Sequence, residues 1–397
     1  MLVLVAALLT IALVTSQPAL SWLCILVLST AAAAKAWSYF SLAKVQCDLT
    51  LEKCSVFPDE TLRVTARVNN AKLLPIWLQL RVQLAEGLRS DGQRRFLVRD
   101  SGLLSYQRVA LLWTVRALRR GVQTLGPVEL TTGDPLGFYT QTKHTVQREL
   151  IVYPRLVPLH PLLLPRRDFF GRVARQNPVE DPSYVHGIRD YQGGRAARYI
   201  HWKASARTNR LVEKLFESSE QERVLLVLQA AHFAEDETGQ AFERALEVAA
   251  SLAVALEQRG VPVGLATSCA LTGPGVPVVH ASRAPGHLQN LLELLARAQP
   301  VVAHDLGVLL RQRAGGAATT TVVCLCYRLA AEHAAALGAF ARRRGAGRSQ
   351  VVSVICGPSA QALDPALSSQ VRTYRLSDVH SQVLPAVPSE LSGAHGQ

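Results

Sequence analysis

The sequence lacks charge at its start, since no Asp, Glu, Lys or Arg occurs from Met1 to Ala34. A signal peptide normally carries a basic region before its apolar core, and that region is missing here. Apolar residues begin directly at Leu2. The absence of charge therefore favours membrane helices over a cleaved signal peptide.

Two apolar runs make up this uncharged start. Leu2–Val14 and Ala19–Ala34 are separated by a short polar turn that ends at Pro18. A spanning helix needs about 20 apolar residues, so each run is marginal alone, and proline starts or ends a helix cheaply at a turn. The pattern predicts a transmembrane helical hairpin over residues 1–44, with a signal peptide cleaved near the alanines at 31–34 as the alternative.

Basic residues follow the second run, beginning with Lys35 and Lys44. Lys and Arg that flank a span stay on the cytoplasmic side of the membrane. Two spans would then place both chain ends in the cytoplasm, with Trp37 and Tyr39 as amphipathic anchors at the interface. We expect a two-span protein whose soluble domains are cytoplasmic.

The chain carries an excess of positive charge, with 43 Lys and Arg, 30 Asp and Glu, and a formal net charge of +13. Such a balance indicates nucleic acid, an anionic membrane surface or an acidic partner. The basic residues are spread along the chain and form no single dense run. Membrane lipid is therefore favoured, and nucleic acid is the less expected partner.

The seven cysteines are odd in number and lie mostly in apolar stretches, which excludes the framework of a disulfide-rich secreted protein. Cys324 and Cys326 share one face of a predicted strand. No further ligands at metal-binding spacing lie nearby, so buried core thiols are the better interpretation. Cys47 and Cys54 could pair only in an oxidising space, which the expected topology argues against.

Residues 45–160 change to a sequence period of two. Thr61–Val68, Trp77–Leu84 and Gln107–Trp113 all alternate apolar and polar residues. This alternation predicts strands with one buried face, separated by turn residues. Several short strands at this spacing predict a small antiparallel β-sandwich, which by itself implies no chemistry.

Residues 223–384 alternate between apolar strands and amphipathic helices. The predicted elements are strands at Arg223–Leu228, Val261–Ala266, Thr319–Cys326 and Gln350–Cys356, and helices at Gly239–Gln258, His287–Ala298 and Ala330–Arg343. This βαβα order predicts a parallel sheet covered by helices. Residues 385–397 are predicted to form a disordered tail.

A distinctive segment, residues 161–222, joins the two parts. Its motifs are an Arg-Asp-Tyr run at 189–191, a glycine turn at 193–194 and an Ile-His-Trp-Lys-Ala-Ser-Ala stretch at 200–206. The β part contributes an Arg-Arg-Gly strand start at 119–121, an Asp-Pro-Leu-Gly turn at 134–137 and a Val-Tyr-Pro strand at 152–154. On these residues the chain resembles the domain-of-unknown-function 58 family.

The family motif has a His or Asp before its Trp-Lys pair and a Ser or Thr before a following Ala. The residues that match it are Arg189, Asp190, Tyr191, Gly194, Arg198, Ile200, His201, Trp202, Lys203, Ser205 and Ala206. One departure is Arg195, which stands where the family usually carries Asp after the turn glycine. Any role of that Asp is not carried over to this chain.

The resemblance implies a von Willebrand factor A-like, Rossmann-like module for residues 223–384. Such modules can hold a divalent cation through an Asp-x-Ser-x-Ser loop after the first strand. This chain has Gln-Ala-Ala-His-Phe at residues 229–233, without the carboxylate and hydroxyl oxygens that a hard cation needs. We expect no metal there and no cofactor.

The resemblance also implies partners. A MoxR-type AAA+ ATPase is the expected one, together with membrane proteins that carry transglutaminase-like domains. The expected function is that of a non-enzymatic adaptor or scaffold in the bacterial inner membrane, which assists assembly or remodelling there.

The signature segment contains the predicted interaction surface. Its residues are Arg189, Asp190, Tyr191, Arg198, His201, Trp202, Lys203 and Arg207. Guanidinium and ammonium groups bind carboxylates, phosphates or lipid headgroups, and aromatic side chains suit the centre of an interface. An equally weighted alternative is architectural, with Trp202 and Ile200 in the core and ion pairs that fix a loop.

No catalytic residue is predicted. Gly193-Gly194 is not followed by the Gly-Lys-Ser/Thr of a phosphate-binding loop. Asp190, His201 and Ser205 superficially resemble a hydrolase triad, but Ser205 lacks the Gly-x-Ser-x-Gly context of a nucleophile elbow. The alternative to the adaptor function is a basic module that binds anionic lipid or nucleic acid. A hydrolase that uses His201 is a weaker alternative than either.

Overall fold

The computed structural model describes residues 2–90, 95–134, 137, 139–145, 147–159, 180–191, 200–218, 223–313, 320–343, 351–357 and 371–375. These residues fall into two compact units, the first ending at Arg155 and the second beginning at Leu156. The predicted tail at 385–397 lies outside the described residues.

The first unit begins with two helices, α1 (Leu2–Val14) and α2 (Pro18–Ser41). Pro18 occupies the first turn of α2, where its missing N–H has no helical partner to lose. Within the described part of the chain, α2 is the one helix long and apolar enough to cross a membrane, with 24 residues and a mean hydropathy of 1.7. An N-terminal membrane helix agrees with membrane anchoring, while a second span and the cytoplasmic orientation stay predictions.

Ten strands follow among the described residues of the first unit. They are β1 (Val45–Leu51), β2 (Ser55–Val56), β3 (Thr61–Asn70), β4 (Ile76–Leu84), β5 (Leu88–Ser90), β6 (Phe96–Leu103), β7 (Arg108–Ala117), β8 (Gly121–Gly133), β9 (Thr140–Thr145) and β10 (Arg148–Val152). One sheet has the order β1-β3-β7-β5 and the other β2-β10-β8-β4-β6, with β9 paired to β8.

The alternation in the sequence produces the core between these sheets. Every second residue of β4, from Ile76 to Leu84, is buried, as period-two patterning requires. Apolar side chains from both sheets join one continuous cluster. The expectation of a purely antiparallel sandwich is wrong at one edge, because β2 and β10 run parallel.

The second unit has a strand pair and a larger sheet. Its described elements are β11 (Glu180–Asp190), α3 (Trp202–Thr208), β12 (Val212–Ser218), β13 (Arg223–Leu228), α4 (Gln240–Gln258), β14 (Val263–Thr267), β15 (Cys269–Leu271), β16 (Val278–Ser282), α5 (His287–Arg297), β17 (Ala298–Val302), α6 (Leu306–Arg313), β18 (Thr320–Cys326), α7 (Ala331–Arg343), β19 (Val351–Ile355) and β20 (Val371–Arg375).

The larger sheet has the order β16-β14-β13-β18-β19-β20. Neighbouring strands run parallel except at the β14–β16 edge, which is antiparallel. The interior strand β13 carries buried Leu226 and Leu228 on one face and buried Val227 on the other, as expected of a strand covered on both faces. The mixed α/β architecture with an apolar N-terminal helix and several sheets is therefore confirmed.

Six cysteines are buried and all seven are free thiols. Cys324 and Cys326 are fully buried in the sheet, which confirms their interpretation as core residues. Burial raises the pKa of Cys47 to about 11, so this thiol is poorly nucleophilic at neutral pH. Cys54 is exposed, so it departs from the expectation of buried thiols.

Candidate functional site

The signature segment folds as a strand pair that encloses a short helix. β11 and β12 are antiparallel, with Arg189 opposite Glu213 and Asp190 opposite Val212. The backbone N–H of Tyr191 donates to the carbonyl of Leu211 at 2.9 Å. These bonds close the strand pair around α3, which lies between the two strands in the sequence.

Helix α3 is held at its start by His201. The Nδ1 atom of His201 accepts a hydrogen bond from the backbone N–H of Ala204 at 3.1 Å, the contact of an N-cap residue. The His201 N–H donates to the carbonyl of Val212 at 2.8 Å, and Ser205 Oγ accepts from the Val212 N–H at 3.0 Å. The helix is thus joined to β12 by backbone and side-chain bonds.

One ion pair connects the two strands, and a second joins the end of β11 to the residues just before β12. Arg189 contacts the carboxylate of Glu213, whose side chain is completely buried. Arg210 pairs with Asp190 at 3.4 Å, and both side chains are about two-thirds exposed. The first pair neutralises a buried charge and matters for stability, whereas the second contributes little because water screens it.

These contacts argue against the hydrolase triad. Asp190 pairs with Arg210. The Nδ1 atom of His201, through which the acid of a triad would orient the imidazole, instead caps α3. Ser205 is hydrogen-bonded to Val212. A nucleophile and its base must lie within hydrogen-bond reach of each other. Among the described residues, each member of the set is committed to a local structural contact.

One face of α3 is left for other uses. Trp202 is 64% exposed, and Lys203, Ala206 and Arg207 are also exposed. Residues four apart lie on the same helix face, so Trp202 adjoins Ala206 and Lys203 adjoins Arg207. We call Trp202, Lys203 and Arg207 the α3 surface.

The architectural alternative is therefore only partly right. Ile200 is buried, as it required, but Trp202 is exposed and the expectation that it belongs to the core is wrong. Arg189, Asp190 and His201, which were predicted to contact a partner, make internal contacts. Tyr191 is partly buried. Arg198 and Arg195 lie outside the described residues.

A second polar cluster lies at the carboxyl ends of β13 and β18, where Gln229 follows the first strand and Arg328 follows the second. Gln229 Nε2 lies 2.9 Å from Nε2 of His333. Arg328 bonds both His232 Nδ1 and Glu235 Oε1 at 3.0 Å. The cluster lies at the ends of two adjacent strands whose connections leave in opposite directions, a position at which α/β sheets commonly bind ligands.

The cluster already contains a cationic side chain. The guanidinium of Arg328 occupies it, and the described residues include no group of three or more His, Cys, Asp or Glu side chains placed to hold a metal ion. Within the described part of the chain, Gln229 Oε1 and His333 Nδ1 are buried without a hydrogen-bond partner. Sequence reasoning missed this cluster because its members are far apart in the chain.

Comparison with known proteins gives this second unit a family context. Residues 187–373 match the family model described as "Protein of unknown function DUF58". The DUF58 match begins within β11 and ends within β20, so it includes the motifs at residues 189–206 and extends across the larger sheet. Its description names no activity.

A curated relative extends the similarity beyond the DUF58 match. The uncharacterized protein YeaD of Bacillus subtilis (strain 168) is 25% identical over 289 residues, which cover 70% of this chain and 68% of that protein. This similarity likewise carries no assigned activity.

Solved structures resemble smaller parts of the chain. Native alpha-2-macroglobulin from Escherichia coli is 20% identical, with a TM-score of 0.25, and the match covers 30% of this chain and 17% of that chain. A CARDB domain from Pyrococcus furiosus is 9% identical, with a TM-score of 0.20, and the match covers 28% of this chain and 87% of that chain. No functional conclusion follows at these scores.

Replacing His201 with Ala should loosen α3. Loss of an N-cap acceptor costs about 1 kcal/mol, which corresponds to roughly fivefold faster amide exchange across residues 200–208. His201→Asp should exchange no faster than the parent, because Asp is a strong N-cap residue. Equal acceleration in both variants would contradict the capping role, and hydrogen exchange with mass spectrometry measures it.

Burial lowers the pKa of His333 below its ordinary value. The folded protein therefore holds a neutral imidazole where the unfolded chain takes up a proton as the pH falls below about 6.5. The free energy of unfolding should therefore decrease as the pH falls from about 7.5 to about 5.5. In the His333→Gln variant it should decrease less than in the parent over the same interval. Thermal unfolding of the full chain in detergent measures the stability of parent and variant at each pH. An equal loss of stability at acid pH in the two proteins would contradict the role of His333.

Proposed function

We propose that this protein is a non-enzymatic adaptor of the DUF58 family, anchored in the bacterial inner membrane, which presents the α3 surface to a MoxR-type AAA+ ATPase. The proposal rests on a difference among the residues of the signature segment. Arg189, Asp190 and His201 make contacts within the segment. Trp202, Lys203 and Arg207 are exposed on one face of α3.

Membrane anchoring is supported by α2, with its length and hydropathy. The basic residues that follow its apolar part, Lys35 and Lys44, favour a cytoplasmic position for the soluble units. The shorter α1 would supply a second span as part of a hairpin. A cytoplasmic orientation is also the one in which an ATPase could reach the protein.

The second unit is proposed to be a von Willebrand factor A-like module. Numbered along the chain, the strands of its larger sheet follow the order 3-2-1-4-5-6, which is the order of a doubly wound α/β fold. With Gln229 and Arg328 at its ligand-binding edge in place of acidic residues, such a module would work through protein contacts without a bound cation.

A protein partner is favoured by the chemistry of the α3 surface. Exposed Trp is costly to leave in water, and Trp and Arg are the residues most enriched among those that dominate binding energy. The identity of the ATPase, and the involvement of transglutaminase-like membrane proteins, rest on the family resemblance alone.

Anionic lipid or nucleic acid is the alternative ligand. Lys203, Arg207 and Arg210 are exposed cations on or next to α3, and all three could neutralise phosphates. Binding of that kind falls steeply with salt because counterions are released. Binding centred on Trp202 should be less sensitive to salt, since burial of an aromatic ring is not screened.

Co-purification tests the proposal. The tagged full chain is solubilised from its native membranes in mild detergent, captured, washed at low and at high salt, and its companions are identified by mass spectrometry. We expect a MoxR-type ATPase that persists through the high-salt wash. Eluates without any AAA+ ATPase, or with phosphate-rich ligands that high salt removes, would contradict it.

A further inference from the structure

Two loops of the first unit are bonded to each other at one end of the β-sandwich. Residues 71–75 connect β3 to β4, and residues 104–107 connect β6 to β7. The N–H of Tyr106 donates to the carbonyl of Lys72 at 3.1 Å. The side-chain amide of Asn70 donates to the carbonyls of both Leu74 and Leu104, at 2.9 and 3.0 Å. We call these two loops, residues 71–75 and 104–107, the paired loops.

The paired loops are attached to the C-terminal end of α2. Lys72 Nζ donates to the carbonyls of Phe40 at 2.6 Å, Ser41, and Ala43 at 3.0 Å. An ammonium group at this position satisfies carbonyls that the helix leaves unpaired and complements the negative end of its dipole. Burial lowers the pKa of Lys72 to about 8, so most molecules carry the charge at neutral pH.

The proposed anchoring by α2 fixes the depth at which the end of this helix would lie. From Trp22 to Tyr39 the helix rises about 26 Å at 1.5 Å per residue, close to the roughly 30 Å of a hydrocarbon core. Trp and Tyr favour the two interfaces of a bilayer, and Trp22 and Tyr39 are each 72% exposed on the helix. Phe40, Ser41 and the loops bonded to them would then lie at headgroup level.

The tips of the paired loops are apolar. Leu73, Leu104 and Tyr106 are exposed by 74%, 68% and 66%. Scattered apolar residues on a surface need no explanation, but these three lie on two mutually bonded loops. Exposed Lys44 accepts a backbone hydrogen bond from the Ala71 N–H at 3.3 Å, and exposed Arg108 directly follows the second loop. Cations therefore accompany the apolar tips, a combination that suits an anionic lipid interface.

We propose that the paired loops insert into the headgroup region of the leaflet from which α2 emerges, and so give the β-sandwich a second contact with anionic lipid. This inference rests on the proposed anchoring by α2. Its consequence is orientational: one helix permits rotation and tilt of a soluble domain, whereas a helix and an adjoining pair of loops restrict both.

A fluorescence experiment on the full chain tests the contact. Cys54 is replaced by Ser because it is the exposed cysteine, and one new cysteine is labelled with an environment-sensitive dye. The positions are Leu104 and Leu73 on the paired loops, Leu26 on α2, and Glu86, which is exposed beyond the far end of β4, about 30 Å away along the strand.

The labelled proteins are reconstituted into vesicles of phosphatidylethanolamine and phosphatidylglycerol, with nitroxide quenchers in the headgroup or the acyl chain. Dye at Leu73 and Leu104 should emit at shorter wavelength than dye at Glu86 and be quenched most by headgroup nitroxides. Dye at Leu26 should be quenched most by acyl-chain nitroxides.

The outcomes separate the two claims. If Leu26 reports lipid while Leu73 and Leu104 behave like Glu86, the loop contact is wrong and the anchor stands. If Leu26 also behaves like Glu86, both the anchor and the loop contact are wrong. Substitution at two separate loop positions guards against a local effect of either label, since both side chains are exposed in the parent.

Discussion

Replacing Arg189 with Met should open the signature segment, because the buried carboxylate of Glu213 would lose its cation. Removing one member of a buried ion pair costs about 3 kcal/mol or more. We expect the low end of that range, since the Arg189 side chain is 38% exposed and water can partly replace it. Amide exchange at Tyr191 and across β12 should accelerate roughly a hundredfold.

The double variant Arg189→Met/Glu213→Leu is the matched control. It removes both charges and leaves no carboxylate to desolvate, and such replacements are often close to neutral. Exchange should therefore return most of the way to that of the parent. Hydrogen exchange of the full chain in detergent measures all three proteins; equal acceleration in the single and double variants would contradict a role for the ion pair.

Replacing Trp202 with Ala should weaken partner binding without affecting the fold. A central exposed aromatic typically contributes about 2 kcal/mol or more to an interface, so affinity should fall roughly thirtyfold. Exchange across β11 and β12 should be unchanged, because Trp202 is 64% exposed and is not among the residues that tie α3 to β12. Titration of the reconstituted protein with the co-purified ATPase measures the affinity.

Trp77→Ala provides the control for exposed aromatic area. Trp77 is 68% exposed, nearly as much as Trp202, but it lies in β4 of the first unit. Its removal should leave the affinity unchanged. Similar losses from both variants would mean that binding is general adhesion to aromatic surface and that α3 has no specific role.

Regular periodicity explains which elements could be predicted from the sequence. Strand β4 and helix α4 were predicted to within about two residues because their buried faces repeat with the expected periods. The antiparallel edge strand β16, the β15–β17 pair, helix α6 and strand β20 were missed. The strands β15 and β16 have five residues or fewer and are only partly buried, whereas β14 and β19 are as short but buried throughout and were recognised as apolar runs.

The roles of the signature residues could be predicted only in part. The partner of Arg189 is Glu213, and that of Ser205 is Val212; neither pairing follows from spacing, because strand register decides it. Trp202 was placed in the core by one interpretation, yet a short helix has no periodicity to indicate its buried face. The exposure of Trp202 could therefore be read only from the folded structure.

The family motif that residues 189–206 resemble bears on the role of His201. That resemblance implies either His or Asp at the position of His201. Both side chains can accept a backbone N–H at a helix start, which is the contact that His201 makes with Ala204. The hydroxyl oxygen of Ser205 likewise accepts a hydrogen bond from the Val212 N–H. In this chain His201 and Ser205 therefore both make structural contacts.

Photo-crosslinking from α3 tests the central claim most directly, namely that Trp202 contacts a protein partner. A photoreactive amino acid replaces Trp202 in the full chain in its native membranes, and a second protein carries it at Trp77. The proposal predicts a crosslink from position 202 to a MoxR-type AAA+ ATPase and none from position 77. Crosslinks from position 202 to lipid alone, or an identical pattern from both positions, would contradict it.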